Sequence, residues 1–457
     1  MTVRETKNNA EIDSQPIIDE LDSQIYTYKN ELDQLNDNRV IKVIKAMEEL
    51  AETRPTLASV FYIPKRVIRK TKRVIFEPIQ KKQKQNILKK VLKEKYNLNN
   101  FNKVIKKNKV INIGLVMREG DVRPQSSAFI RLIAPLSKLD QSSYNIVLFN
   151  GDLSNSKSRK FRNINVFIVQ RTAFSTADNA KNFISDCIRF GIPYFVDLDD
   201  AVGLLEKDHP QYEVQKPGLE ALNIIIKSSK KLFVSVPELK KYYPSNGSIV
   251  IPNTVDGGIW SIRTKEKSYS KALRMVYMGT QTHSMDLELI IPALDRLLLN
   301  YPGKFSLTII GIAKNVPHRS YIQTLNPTSN ETLYPNFINW FESQSISFDI
   351  GLAPLTNTKF NSAKSDIKCL DYLMAGCGIL ASNIKPYISS DILDYIQIVE
   401  HDGSWYEELE KLIVNKEHFS RTIKKAQNGR EYILSSRNVS DASSKLETAI
   451  VNSLNKS

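Results

Sequence analysis

The sequence predicts an α/β protein made of two similar parallel-sheet halves behind a basic, helical N-terminal extension. Three observations carry that prediction. From residue 110 onward, short apolar runs alternate with helical stretches, the texture of a parallel sheet buried on both faces. The alternation breaks at a polar patch, SIRTKEKSYSKA at 261–272, and then restarts. Ahead of both halves, the first hundred residues show helical periodicity, and the excess of positive charge is concentrated at 64–109. A chain of 457 residues, 41% of them hydrophobic, is long enough for two or three domains with their own cores. The expected division is a helical extension over 1–100, one α/β domain over 101–260 and a second over 261–430. A helical segment over 431–457 closes the chain and is free to return to the first domain.

In the extension, Ile18, Leu21, Ile25, Tyr28, Leu32 and Leu35 recur at alternating spacings of three and four. Val40, Ile44, Met47 and Ala51 resume the pattern after a slip. Residues 18–51 therefore suit a short coiled coil joining a second copy or a partner protein, or else one amphipathic helix lying on the globular body. Between residues 64 and 109 there are 17 Lys or Arg against Glu77 and Glu94, which equals the whole net charge of +15. Val67, Ile68, Val74, Ile75 and Phe76 interleave with those cations, so 64–95 is a candidate for contact with an anionic membrane surface. A solvated, charged linker is the alternative. No nucleic-acid fold accompanies the charge, so nucleic acid is not an expected partner.

No run approaches the ~18 to 20 apolar residues that span a bilayer. The opening MTVRETKNNAEIDSQ has no apolar stretch of a secretory signal. Cys187, Cys369 and Cys377 are too few for a disulfide framework or a zinc site. The expected location is the cytoplasm, peripheral on the inner face of the plasma membrane.

Six runs read as buried strands of the first half: VINIGLVM, YNIVLFN, INVFIVQ, IPYFVDL, KLFVSV and SIVIP. Helical stretches near 126–139, 178–190 and 217–229 separate several of them. The second half reads LRMVYMG, FSLTII, ISFDIGLAP, GILAS and IQIVE, and the tail from 416 reads as helices. In doubly wound domains ligands sit at the carboxyl ends of the strands, where helix N-termini point. After FDIGLAP, the loop LTNTKFNSAK leads into a helix expected to start near Ser365, a good N-cap, beside Asp366. Lys364 and Lys368 place positive charge at that same helix N-terminus, which is unfavourable unless an anion balances it. Positions 364, 368 and 371 follow spacings of four and three and are expected on one face. Two lysines for a diphosphate and Asp371 for ribose hydroxyls make a plausible nucleotide diphosphate site.

In order, PYFVDLDDAV, KLFVSVPELKKYY, IVIPNTVD, MVYMGTQTHSMDL, FDIGLAPL and KSDIKCLDYLMAGCGILAS resemble the segments of GT-B fold glycosyltransferases. The resemblance covers 110–457 and is closest to the GT4-type enzymes of bacterial surface polysaccharide or O-antigen assembly. It implies two Rossmann-like domains facing across a cleft and transfer of a sugar from a nucleotide-diphosphate donor to a cell-surface glycan or lipid-linked glycan. It further implies retention of configuration and no metal or other cofactor, the nucleotide sugar being a co-substrate. The family's pair of acidic residues around the ribose falls here on Ala363 and Asp371. Its Arg and Lys after the first strand of the second domain are replaced by Thr280 and His283, which become candidate donor contacts. On the acceptor side the resemblance points to REGDVRPQSSAFIRL, with Arg118, Arg123, Ser126, Ser127 and Arg131 as candidates; Arg131 reads equally well as a surface residue. DLDD at 197–200 ends a strand, and Asp199 and Asp200 are expected to fix the strand end or to meet sugar hydroxyls rather than a metal. A catalytically silent module that binds glycan or scaffolds a partner enzyme is the rival reading.

Overall fold

The computed structural model describes residues 77–99, 101, 110–118, 124–152, 159–207, 212–260, 267–270, 272–279, 284–311, 316, 318–328, 330–400 and 402–455. The stripe at 18–51, the basic residues 64–76, and Arg123, Thr280 and His283 lie outside the described residues. The chain divides into two compact units, Met1–Gln80 and Lys81–Ser457, and both sheets belong to the second.

The first sheet holds β1 (Ile111–Met117), β2 (Tyr144–Asn150), β3 (Val166–Gln170), β4 (Tyr194–Leu198), β5 (Leu232–Val234) and β6 (Ser248–Val250). Their order is β2-β1-β3-β4-β5-β6, with every pair parallel. The second sheet holds β7 (Leu273–Met278), β8 (Phe305–Ile310), β9 (Ile322–Leu325), β10 (Ile350–Ala353), β11 (Gly378–Ser382) and β12 (Gln397–Val399). It is again parallel throughout, in the order β12-β11-β10-β7-β8-β9. All the strands expected from the apolar runs are present, because a strand covered by helices on both faces must be apolar along its length. The edge strand β9 was not expected: its sequence IQTL is short and only partly buried.

These strand orders locate the crevices. In the second sheet the connection reverses between β7 and β10; in the first it reverses between β1 and β3. Ligands of open α/β sheets bind outside the carboxyl ends of the strands at such reversals.

The helix α1 (Glu77–Tyr96) is the described part of the basic segment. Its apolar stripe, Leu88, Val91, Leu92 and Tyr96, is buried in the core, and Tyr96 stacks on Phe129 at 5.9 Å between ring centroids. Burying such side chains is worth about 1.5–3 kcal/mol each, so they are not available to wedge into a bilayer. What remains outside is a lysine face: Lys81, Lys82, Lys84, Lys89, Lys90 and Lys93 are all exposed.

The helix α2 (residues 126–137) is α-helical at Ser126–Ala128, widens to a π turn at Phe129–Ile133 and returns to α-helix at Ala134–Ser137. Ala177–Phe190 forms α3, capped by the Thr176 side chain and stopped at Gly191, whose φ of 64° suits glycine. Tyr212–Ser228 forms α4 and Tyr334–Ser345 forms α5. Between β7 and β8 lie two helices, Ser284–Glu288 and Ile291–Asn300, with proline in the first turn of the second.

At the C-terminal end, Ile367–Met374 (α6) and Lys416–Ser436 (α7) pack together in the second domain. The chain then breaks at Arg437 and Asn438. The Asn438 side chain caps α8 (Val439–Leu454), accepting from the Ser440 N–H at 2.9 Å. This last helix packs on Ala134–Ser137 of the first domain.

Candidate functional site

At the β7/β10 reversal, the sequence holds α6 close to the sheet. Tyr372 lies flat against Gly351 of β10, where a Cβ would come within 2.4 Å of the ring. Its hydroxyl accepts from the Met278 N–H at 2.8 Å and donates to the Leu352 carbonyl at 3.2 Å, tying the helix to both strands at the crevice. Leu370, Leu373 and Met374 are fully buried around it.

The start of α6 differs from the expectation. The helix begins at Ile367, Asp366 precedes it, and no side chain caps it. Ser365 is therefore not the N-cap. Its Oγ accepts from the Asn253 Nδ2 at 2.7 Å. Asp366 is occupied as well: its carboxylate accepts from Arg437 at 3.0 and 3.1 Å and from the Ser390 hydroxyl at 2.5 Å.

The two lysines do meet. The Lys368 Nζ is enclosed, sits 4.5 Å from the Tyr277 ring centroid and makes no hydrogen bond. Burial pushes its ammonium down to about 8. The Lys364 Nζ lies 4.9 Å from the Phe360 ring centroid. Burial lowers its pKa, while the charges of Asp200 and Asp286 oppose that fall. Neither lysine forms an ion pair with a described residue.

Asp371 is turned elsewhere. It faces Tyr334 of α5, and burial pushes its carboxyl up to about 7 although the Tyr334 hydrogen bond pulls the other way. Its Oδ1 has no hydrogen-bond partner. The expected common face of 364, 368 and 371 fails because Lys364 precedes the helix, so helical spacing does not reach it. Asp286 was not anticipated. It is buried, and its Oδ1 accepts from the Thr356 N–H and hydroxyl at 3.0 Å each and from the Asn361 amide at 3.2 Å. It thereby fixes the loop between β10 and α6. Its partners lie some seventy positions on, beyond any local sequence signal.

On the opposite side, Asp197 at the end of β4 takes a bidentate bond from Arg131, with distances of 2.7 to 3.0 Å. Arg131 is therefore neither a surface residue nor a group free to meet an acceptor. The π turn carries it inward, and it is 3% exposed. Its Nη1 also donates to the Ile251 carbonyl at 2.8 Å and to the Asn253 Oδ1 at 3.0 Å. Asp199 and Asp200 follow the strand end, and both pair with Arg171, which the sequence reading had passed over. Burial raises both carboxyls, but the Arg171 guanidinium holds Asp199 below the usual range. Asp200 is raised by burial, reinforced by the charge of Asp199. Lys364 acts electrostatically on Asp200, so the carboxyl ends of the two sheets face one another here.

At the β1/β3 reversal, a small crevice is lined by Arg118, Arg171, Thr172, Ser175 and Gln215. Arg118 is half-exposed and 3.8 Å from Asp152. Ser127 accepts from the Gln170 amide at 2.7 Å, and Ser126 is exposed at the helix start. Among the described residues no group of three or more His, Cys, Asp or Glu is placed to hold a metal ion.

No protein-family model matches the chain, and no curated protein matches it. Solved structures do. HepE from Anabaena in complex with UDP and glucose aligns with a TM-score of 0.52 at 9% identity, over 75% of this chain and 100% of that one. The same protein in complex with UDP-glucose gives 0.52 at 9% identity, over 76% and 100%. Sucrose-phosphate synthase from Thermosynechococcus elongatus gives 0.51 at 10% identity, over 76% and 100%. With two parallel six-stranded sheets facing across a cleft, the chain has the GT-B fold.

Proposed function

We propose that the protein is a glycosyltransferase that moves a sugar from a nucleotide-diphosphate donor to a cell-surface glycan or glycolipid, with retention and without a metal. The observation that carries this is the pair Lys364 and Lys368 at the β7/β10 reversal, the first half-buried and the second with its Nζ enclosed, neither in an ion pair with a described residue. Asp200 and Asp286 offset the burial of these cations only in part, since both lysine pKa values still fall, and a diphosphate at this crevice would supply further negative charge. The UDP-glucose complex of the structurally similar HepE supports the same reading.

In this proposal Lys364, Lys368 and the Ser365 hydroxyl stabilise the charge that grows on the departing diphosphate. Thr280 and His283 flank the donor, while Asp371 stays behind α6 against Tyr334. Asp199 and Asp200, braced by Arg171, face the acceptor together with Arg118, Arg123, Ser126 and Ser127. Partners beyond the substrates are a second copy or another glycosyltransferase through 18–51, and an anionic membrane surface at the cytoplasmic face through the lysines of α1.

The rival is a silent module that binds glycan. One observation favours it: Ala363 is fully buried among apolar residues, so no carboxylate stands there. Nucleotide release from a panel of nucleotide sugars, with a glycolipid acceptor, separates the two. Turnover supports the transferase; saturable glycan binding with no turnover supports the module.

A further inference from the structure

We propose that Asn253 is a positioning residue that turns the Ser365 hydroxyl proton toward the donor's phosphate; this rests on the nucleotide-diphosphate reading and adds to it. The direction of the hydrogen bonds carries the inference. A guanidinium has donors only, so Arg131 can bond to Asn253 only through the amide oxygen. The amide nitrogen is then committed to the other side, where it donates to the Ser365 Oγ at 2.7 Å. Ser365 is therefore an acceptor in this chain, and its single proton remains to be given away. No described residue takes it: the neighbouring carboxylate of Asp366 is filled by Arg437 and Ser390.

The chain starts at a buried ion pair, Asp197 with Arg131, and every later bond points the same way. Donors linked in sequence polarise one another, so the terminal hydroxyl is a stronger donor than an isolated serine. It emerges between Lys364 and Asp366, beside the two lysines without ion-pair partners. Asn253 itself is 4% exposed, and its carbonyl accepts from Arg437 at 2.9 and 3.1 Å, so it has little freedom to turn. A residue serving only to anchor Arg437 would need these backbone bonds but not the oriented amide.

The test is calorimetric binding of UDP, GDP, dTDP, ADP and inorganic pyrophosphate to the full chain and to Ser365→Ala, Asn253→Ala and the double variant. Each single variant is expected to bind the best diphosphate about tenfold more weakly, the size of one hydrogen bond to a charged group. The double variant is expected to be no weaker than Ser365→Ala, since both changes silence the same proton. Ser365 is half-buried at a loop, so its variant folds and decides the matter even should Asn253→Ala not fold. Unchanged affinity in Ser365→Ala, or losses that multiply in the double variant, overturns the role of Asn253 and leaves the donor site standing. A wild-type chain that binds none of the five probes overturns the donor reading and this inference with it.

Discussion

Arg131 and Arg171, at the carboxyl end of the first sheet, are each matched by carboxylates: Asp197 for one, Asp199 and Asp200 for the other. Lys364 and Lys368, at the carboxyl end of the second, have no such match among the described residues. The chemistry of the cations fits this division. Arginine's rigid fork suits permanent, bidentate internal pairs, whereas the compact ammonium of lysine exchanges partners readily. One side of the cleft thus holds its arginines in close internal pairs, while the lysines of the other feel Asp200 and Asp286 only beyond ion-pair distance and stay open to a ligand.

The comparison breaks most sharply at Arg131. Arg131→Met leaves Asp197 buried without its counter-ion, and about 3–5 kcal/mol of stability is expected to be lost. Urea unfolding measures this, and a loss below 1 kcal/mol would show that the pair is not what holds the first domain. By contrast, Lys364→Ala or Lys368→Ala should fold well and weaken nucleoside diphosphates about ten- to a hundredfold, with little effect on the bare nucleoside. Calorimetry that found diphosphate and nucleoside equally affected would move the phosphate site elsewhere.

Asp371 sharpens the contrast through pH. Its carboxyl titrates near 7 in the folded chain and near 3.9 when unfolded. Between those values the native state holds a proton that the unfolded state has lost, so stability falls as pH rises from about 4 to 7 and then levels. Asp371→Asn is expected to flatten that slope. Urea midpoints at pH 4.5 and 7.5 give the answer, and an unaltered slope would assign it to another group. The smallest effect belongs to α1. Replacing Lys89 alone with Gln should weaken binding to phosphatidylserine vesicles by about 1 kcal/mol. Sedimentation should show no change with neutral vesicles; equal binding to both kinds would remove the membrane proposal.

What the sequence made legible follows the range of the forces involved. Strands such as VFIVQ and GILAS, sandwiched between helices, declare themselves by composition, whereas β9 at an exposed edge does not. Lys364 and Lys368 stood out because their charge opposes the local helix dipole, a signal contained in five residues. Arg131 was misread because the π turn that buries it is not written in its neighbours' periodicity. The role of Asn253 has no local signal, since its side-chain partners lie 122 positions before it and 112 after. Asp366 looked free for a ligand because Arg437 is 71 residues away in sequence.

The crossing of the C-terminal helix has a consequence for how the protein is made. Val439–Leu454 packs on Ala134–Ser137, and its Glu447 comes near enough to Tyr144, at the start of β2, to raise that phenol's pKa together with burial. The earlier α/β domain thus lacks one of its walls until about 180 further residues have left the ribosome. During that interval Ala134, Leu136 and Leu139 have no cover from Leu446 and Ile450, their companions in the finished core. Domains generally fold as units in the order of synthesis, and exposed apolar surface invites misassembly meanwhile. The first domain to emerge is therefore the last to be completed, and a cut within α8 injures the opposite end of the gene product from the one it removes.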